Sequence, residues 1–97
     1  MHVIARKTLR NFWLSHANAE QPLKAWFAEA SAANWKSFHD IKKRYRSADV
    51  VNGNRVVFDI KGDKYRLVVK IHYNIGTVYI RFIGTHAEYD EINAETI

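Results

Sequence analysis

Two periodicities divide the chain. In its first part apolar positions recur every three or four residues: Leu9, Phe12, Trp13 and His16 fall at i, i+3, i+4 and i+7, and Leu23, Trp26, Phe27 and Ala30 resume the stripe after a break. The spacing predicts two amphipathic helices, a helical hairpin within residues 1–34. Asn18 and Gln21 stand as a capping box for the second helix, with Pro22 inside its first turn, where a missing N–H costs little. The short apolar start, residues 1–5, reads as an opening strand. Ser37, three residues before Asp40, marks a further short helix that packs Phe38, Ile41 and Tyr45 and exposes Lys42, Lys43 and Arg44.

From Val50 the period falls to two. Residues 55–60, 64–73 and 77–83 are rich in Val, Ile, Tyr and Phe, and Asn52-Gly53-Asn54, Lys61-Gly62-Asp63 and Asn74-Ile75-Gly76 have the composition of hairpin turns. They predict an antiparallel meander. Helices followed by strands predict an α+β fold, with the helices on one face of the sheet. No linker or repeat interrupts it, so residues 1–97 are expected to form one domain.

Alternation sorts the strand residues by face. Val56, Phe58 and Ile60, then Tyr65, Leu67, Val69, Ile71 and Tyr73, then Val78, Ile80 and Phe82 form the expected core set. Opposite them stand Arg55, Val57 and Asp59, then Arg66, Val68, Lys70 and His72, then Thr77, Tyr79, Arg81 and Ile83. An open face carrying Arg55, Arg66, Lys70, His72, Tyr79 and Arg81 follows. The last strand is expected to end at Gly84, where Thr85 and Glu88 have capping-box spacing. The helix they start carries His86 and Tyr89 on one side, at the mouth of the arginine-bearing face.

Charge adds a direction to this picture. Residues 41–81 hold ten Lys and Arg against three Asp and Glu, whereas residues 82–97 hold no cation and four acids. A basic middle within a chain of net charge +5 is the footprint of a protein that meets a polyanion. The chain has no cysteine, which removes disulfides, thiolate metal sites and a cysteine nucleophile. Its five histidines lack metal-ligand spacing, so no metal or other cofactor is expected. Without an apolar run of membrane length or an export leader, a soluble cytoplasmic protein with no membrane association is expected.

Cations around aromatic rings suit an RNA backbone with an unstacked base. They also suit one reaction. When a ribose 2′-OH attacks the adjacent phosphorus, one group takes a proton, another protonates the leaving oxygen, and cations stabilise the phosphorane. His86 suits either proton transfer, Arg66 and Arg81 the third task, and Tyr89 the positioning of a base or ribose. Lys61, Lys64 and Lys70, with Arg55, His72 and Tyr79, would hold the RNA.

Three stretches, residues 9–27, 56–73 and 78–92, closely resemble the HigB branch of the RelE/ParE toxin superfamily. Lys64-Tyr-Arg-Leu and Gly84-Thr-His-Ala-Glu-Tyr-Asp carry the most specific likeness. The resemblance implies a RelE-like, microbial-ribonuclease-like fold, a helical hairpin on an antiparallel sheet of three to four strands. It implies an mRNA endonuclease, commonly working on the ribosome, that inhibits translation until a HigA-type helix-turn-helix antitoxin neutralises it. Operator DNA would be met only through that complex. Arg66 matches an arginine of the RelE third strand that contacts the scissile phosphate, and His86 a catalytic histidine of sister branches. Where RelE has two lysines, this chain has Val57 and Asp59, so the proton acceptor stays open. Two alternatives remain: gyrase poisoning in the manner of ParE, which keeps the fold but needs no proton-transfer group, and nucleic-acid binding without catalysis, which charge alone would support.

Overall fold

The computed structural model describes residues 1–52 and 54–97. In chain order the elements are β1 (His2–Ile4), α1 (Arg6–Ser15), α2 (Glu20–Ala32), α3 (Phe38–Arg44), β2 (Asp49–Val50), β3 (Arg55–Ile60), β4 (Tyr65–His72), β5 (Thr77–Thr85) and α4 (His86–Asp90). The strands form one sheet in the order β1-β5-β4-β3-β2. Its three long central strands are the expected meander; β1 adds to β5 in parallel and β2 to β3 antiparallel. The sheet is therefore five-stranded and mixed, against the three to four antiparallel strands expected. Two-residue β2 is too short to register as an alternation. The turn expected at Asn52-Gly53-Asn54 falls on Gly53, which lies outside the described residues.

The helical stripes bury where their spacing places them. Leu9 and Trp13 of α1, Leu23, Trp26 and Ala30 of α2 and Ile41 of α3 pack on Val56, Phe58, Leu67, Val69, Ile71 and Val78 of the sheet. Phe58 is the centre of this core: Trp26 and Tyr45 meet its ring edge-on at 5.3 and 5.1 Å, and Trp35 stacks on it at 6.1 Å. Truncating so enclosed a ring to alanine removes about 3–5 kcal/mol. Glu29 ties α2 to α3, accepting hydrogen bonds from the Tyr45 hydroxyl at 2.6 Å and Arg44 Nη2 at 2.7 Å. The Tyr45 hydrogen bond, aided by Arg44, holds the Glu29 carboxyl below its ordinary range.

Two caps differ from expectation. A 3-10 turn over Ala17–Ala19 runs straight into α2, leaving Ala19 at the N-cap in helical conformation with no side-chain cap. Asn18 is spent elsewhere, its Oδ1 accepting from the hydroxyl of buried Tyr65, which needs a partner inside the protein. Ser37 does occupy the N-cap of α3 but makes no side-chain cap, and Asp40 instead accepts from the Lys36 N–H at 2.8 Å.

The largest departure lies in β5. Ile80 stands opposite Val69 and Phe82 opposite Val68, so Arg81 is an extra residue, a β-bulge. Beyond it the faces exchange. Phe82 turns away from the main core, and Ile83, opposite Leu67, packs on it. The strict alternation that put Phe82 inside and Ile83 outside fails at that one inserted residue. Nor does Gly84 end the strand: it pairs with Arg66 inside β5, which runs on to Thr85.

With Phe82 turned over, Val57, Val68 and Phe82 make an apolar strip on the face expected to be open. Residues after α4 cover it. Ala94 is buried there, Ile92, Ile97, Tyr89 and Val51 pack around it, and Arg55 Nε donates to the Ile97 oxygen at 2.9 Å. Among the described residues no helix is long and apolar enough to cross a membrane.

Candidate active site

The covering segment divides the candidate residues into two groups. At one end of the face lie Arg66, His86 and Tyr89, with Lys61 and Lys64 exposed in the turn that joins β3 to β4. At the other end Lys70 stands in register with both Arg55 and Tyr79, and the His72 ring meets Tyr79 edge-on at 5.4 Å. Arg81 joins neither group. It is exposed on the bulge, three positions before the glycine that faces Arg66, and its side chain makes no hydrogen bond or ion pair among the described residues.

Arg66 is the hub of the first group. Its Nη2 lies 2.7 Å from His86 Nε2, its Nε 2.9 Å from Asp59 Oδ1, and its Cζ 5.1 Å from the centroid of the Tyr89 ring. The Asp59 contact is close enough for an ion pair, yet the Nε–H is not aimed at a hydrogen-bond acceptor, so the attraction there is Coulombic. Both side chains are about one-fifth exposed, at 23% and 19%, which spares the pair full solvent screening. The His86 contact has a direction. A guanidinium only donates, so in this hydrogen bond His86 Nε2 is the acceptor. The Nε2 of His86 is thus covered by an arginine N–H.

Local sequence explains how α4 delivers these groups. Thr85 Oγ1 accepts from the Glu88 N–H at 3.2 Å, and Glu88 Oε1 accepts from the Thr85 N–H at 2.8 Å, a complete capping box. The Thr85 N–H holds the Glu88 carboxyl below its ordinary range. His86 is the first helical residue and Tyr89 follows one turn later, so both reach the same guanidinium. Gly84 makes room beside them: a Cβ there would stand 2.5 Å from Phe82 Cζ and 3.1 Å from Glu88 Oε1. Phe82 in turn lies 6.4 Å from Tyr89, backing the ring that faces Arg66.

Asp59 is the member that sequence reasoning left unassigned. The signal was present, because a tight turn at Lys61-Gly62-Asp63-Lys64 pairs Ile60 with Tyr65 and so sets Asp59 opposite Arg66. The covering role of Ile92, Ala94 and Ile97 had no such signal. As a whole, the cluster presents a fixed cation, an imidazole nitrogen and an aromatic ring on one side of a short helix. That set can bind a phosphate, accept a proton and stack a planar group.

A comparison with protein families matches residues 19–92 to the model of HigB_toxin, the RelE-like toxic component of a toxin-antitoxin system. The matched span contains Asp59, Arg66, His86 and Tyr89 and leaves out β1 and α1. A comparison with curated proteins gives no match.

Proposed function

The chain belongs to the HigB toxin family, the RelE-like toxic components of toxin-antitoxin systems, and from that membership together with the Arg66 cluster we propose that it is an endoribonuclease that cuts mRNA. The observation that carries this reading is the 2.7 Å contact between Arg66 Nη2 and His86 Nε2. An incoming phosphate competes for the guanidinium's donors. As Arg66 turns its N–H groups to the phosphate oxygens, the Nε2 lone pair of His86 is released beside the same phosphate. His86 then takes the proton of the ribose 2′-OH, the 2′-oxygen bonds to phosphorus, and the bond from phosphorus to the 5′-oxygen breaks. Arg66 stabilises the charge on the phosphorane. The leaving oxygen takes a proton from water, leaving a 2′,3′-cyclic phosphate and a 5′-hydroxyl.

Tyr89 stacks the base or ribose next to the cut, and Lys61 and Lys64 bind the backbone beyond it. Arg55, Lys70, His72 and Tyr79 form a separate patch for RNA further along, and exposed Arg81 contributes charge. Membership in the family carries an antitoxin partner, proposed to be a HigA-type helix-turn-helix protein through which the complex meets operator DNA. The substrate is proposed to be mRNA engaged with the ribosome in the cytoplasm. Induction in cells tests the whole reading. Arg66→Ala and His86→Ala are each expected to abolish growth arrest while the variant still copurifies with its antitoxin. Full toxicity in both variants, or DNA damage with intact transcripts, would contradict it.

A further inference from the structure

Tyr89 borders a second space. Behind it a cavity of about 380 Å³ opens between the segment after α4 and the end of β2, walled by Val51 and Ala94 and ringed by Asp90, Asn93 and Glu95. We propose that this cavity is a nucleobase subsite that takes a base bearing an exocyclic amino group and disfavours uracil. The proposal rests on the endoribonuclease reading above and names what determines its sequence preference.

Size and lining set the class of occupant. The volume lies at the small end of the roughly 300–1,000 Å³ typical of small-ligand sites. Half-buried Tyr89 supplies an aromatic wall, and the guanidinium of Arg66 lies 5.1 Å from the centroid of that ring. A base in the cavity would therefore sit one aromatic ring away from the group that holds the phosphate. The rim carries two carboxylates, Asp90 and Glu95, and no cation, so it repels a phosphate and leaves the base as the part of a nucleotide it can admit.

The rim also sets which base. Asp90 and Glu95 are exposed and make no side-chain hydrogen bond or ion pair among the described residues, so both are free acceptors. Asn93 Oδ1 is occupied by the Glu95 N–H at 3.0 Å, which leaves its amide nitrogen to donate. Cytosine, adenine and guanine bring amino N–H groups to such acceptors, whereas uracil presents carbonyl oxygen where cytosine has its amino group. A carboxylate facing that oxygen meets it lone pair to lone pair and gains no hydrogen bond, which gives the modest preference of an exposed acceptor.

Two measurements separate the cavity's role from the nuclease reading. In the first, the isotopically labelled full chain is titrated with adenosine, cytidine and uridine, which lack phosphate, and the amide signals of Val51, Asn93 and Ala94 are followed. Adenosine and cytidine are expected to bind about tenfold more tightly than uridine, with the difference erased in the Asp90→Asn/Glu95→Gln double variant. Equal binding of uridine, or no response at these amides, overturns the subsite. In the second, 5′ ends of cellular transcripts are mapped after induction of each protein. The wild-type chain is expected to deplete uridine beside the cut and the double variant to restore it; because the readout is a ratio of bases, a slower variant is still informative. A uridine frequency unchanged by the double variant overturns the subsite. If the wild-type chain cuts nothing, the nuclease reading falls and the nucleoside titration alone decides what the cavity binds.

Discussion

At the scale of single residues, Arg66 is held by three unlike contacts, and each answers a different substitution. Asp59 supplies the opposing charge. Asp59→Asn keeps the shape and removes that charge, and it is expected to lower cleavage by about 10 to 100-fold through a loosened Arg66. Arg66→Lys is expected to lose more, because an ammonium cannot meet Asp59, His86 and Tyr89 together as a planar fork does. Initial rates of RNA cleavage by the two variants, with thermal melts to confirm folding, check both. Gly84 is a residue-scale constraint of another kind. Gly84→Ala forces a Cβ to within 2.5 Å of Phe82 Cζ, an overpacking expected to cost about 1–3 kcal/mol in urea unfolding. An unchanged midpoint would mean that Phe82 yields freely.

At the scale of elements, α4 is five residues long and depends on its cap. Thr85→Ala is expected to remove about 1 kcal/mol of stability and to blunt activity only through the drift of His86 and Tyr89. Glu88 gives the cap a pH dependence whose sign is fixed. Its folded carboxyl is depressed by the Thr85 N–H, so its contribution is present above the ordinary carboxylate range and is lost as pH falls through the lowered folded value. The stability gap between wild type and Glu88→Gln is accordingly expected to be open at neutral pH and to close in acid. Urea titrations at a series of pH values measure it, and a gap that widens on acidification would contradict the cap. On β5, Arg81 stands apart from the Arg66 hub. Arg81→Ala is expected to weaken RNA binding uniformly across sequences and to reduce the salt slope by about 1, as loss of one phosphate contact does.

At the scale of the molecule, a basic sheet face is crossed by a segment with no Lys or Arg, and the crossing separates the Arg66 cluster from the Lys70 and Tyr79 patch. Much of this was legible in the sequence. The stripes of α1 and α2, the three central strands, the Thr85–Glu88 capping box and the pairing of His86 with the face of Arg66 all follow from spacing, because each is a local pattern of several residues. Three features were not legible, and for related reasons. The bulge at Arg81 has no glycine or proline to announce it. The covering of the face by Ile92, Ala94 and Ile97 depends on an apolar strip that exists only once the bulge has turned Phe82 over. Asn18 has the spacing of a cap, but the group that claims its side-chain oxygen, the Tyr65 hydroxyl, is 47 residues away in sequence. Arg66 and His86 are proposed to act together on RNA, and the chemistry of the cut ends tests that pairing. After induction, new transcript ends from the wild-type chain should carry 5′-hydroxyl and 2′,3′-cyclic phosphate groups, and such ends should vanish in Arg66→Ala and in His86→Ala; intact transcripts with the wild-type chain, new 5′-phosphate ends, or undiminished cutting by both variants would contradict it.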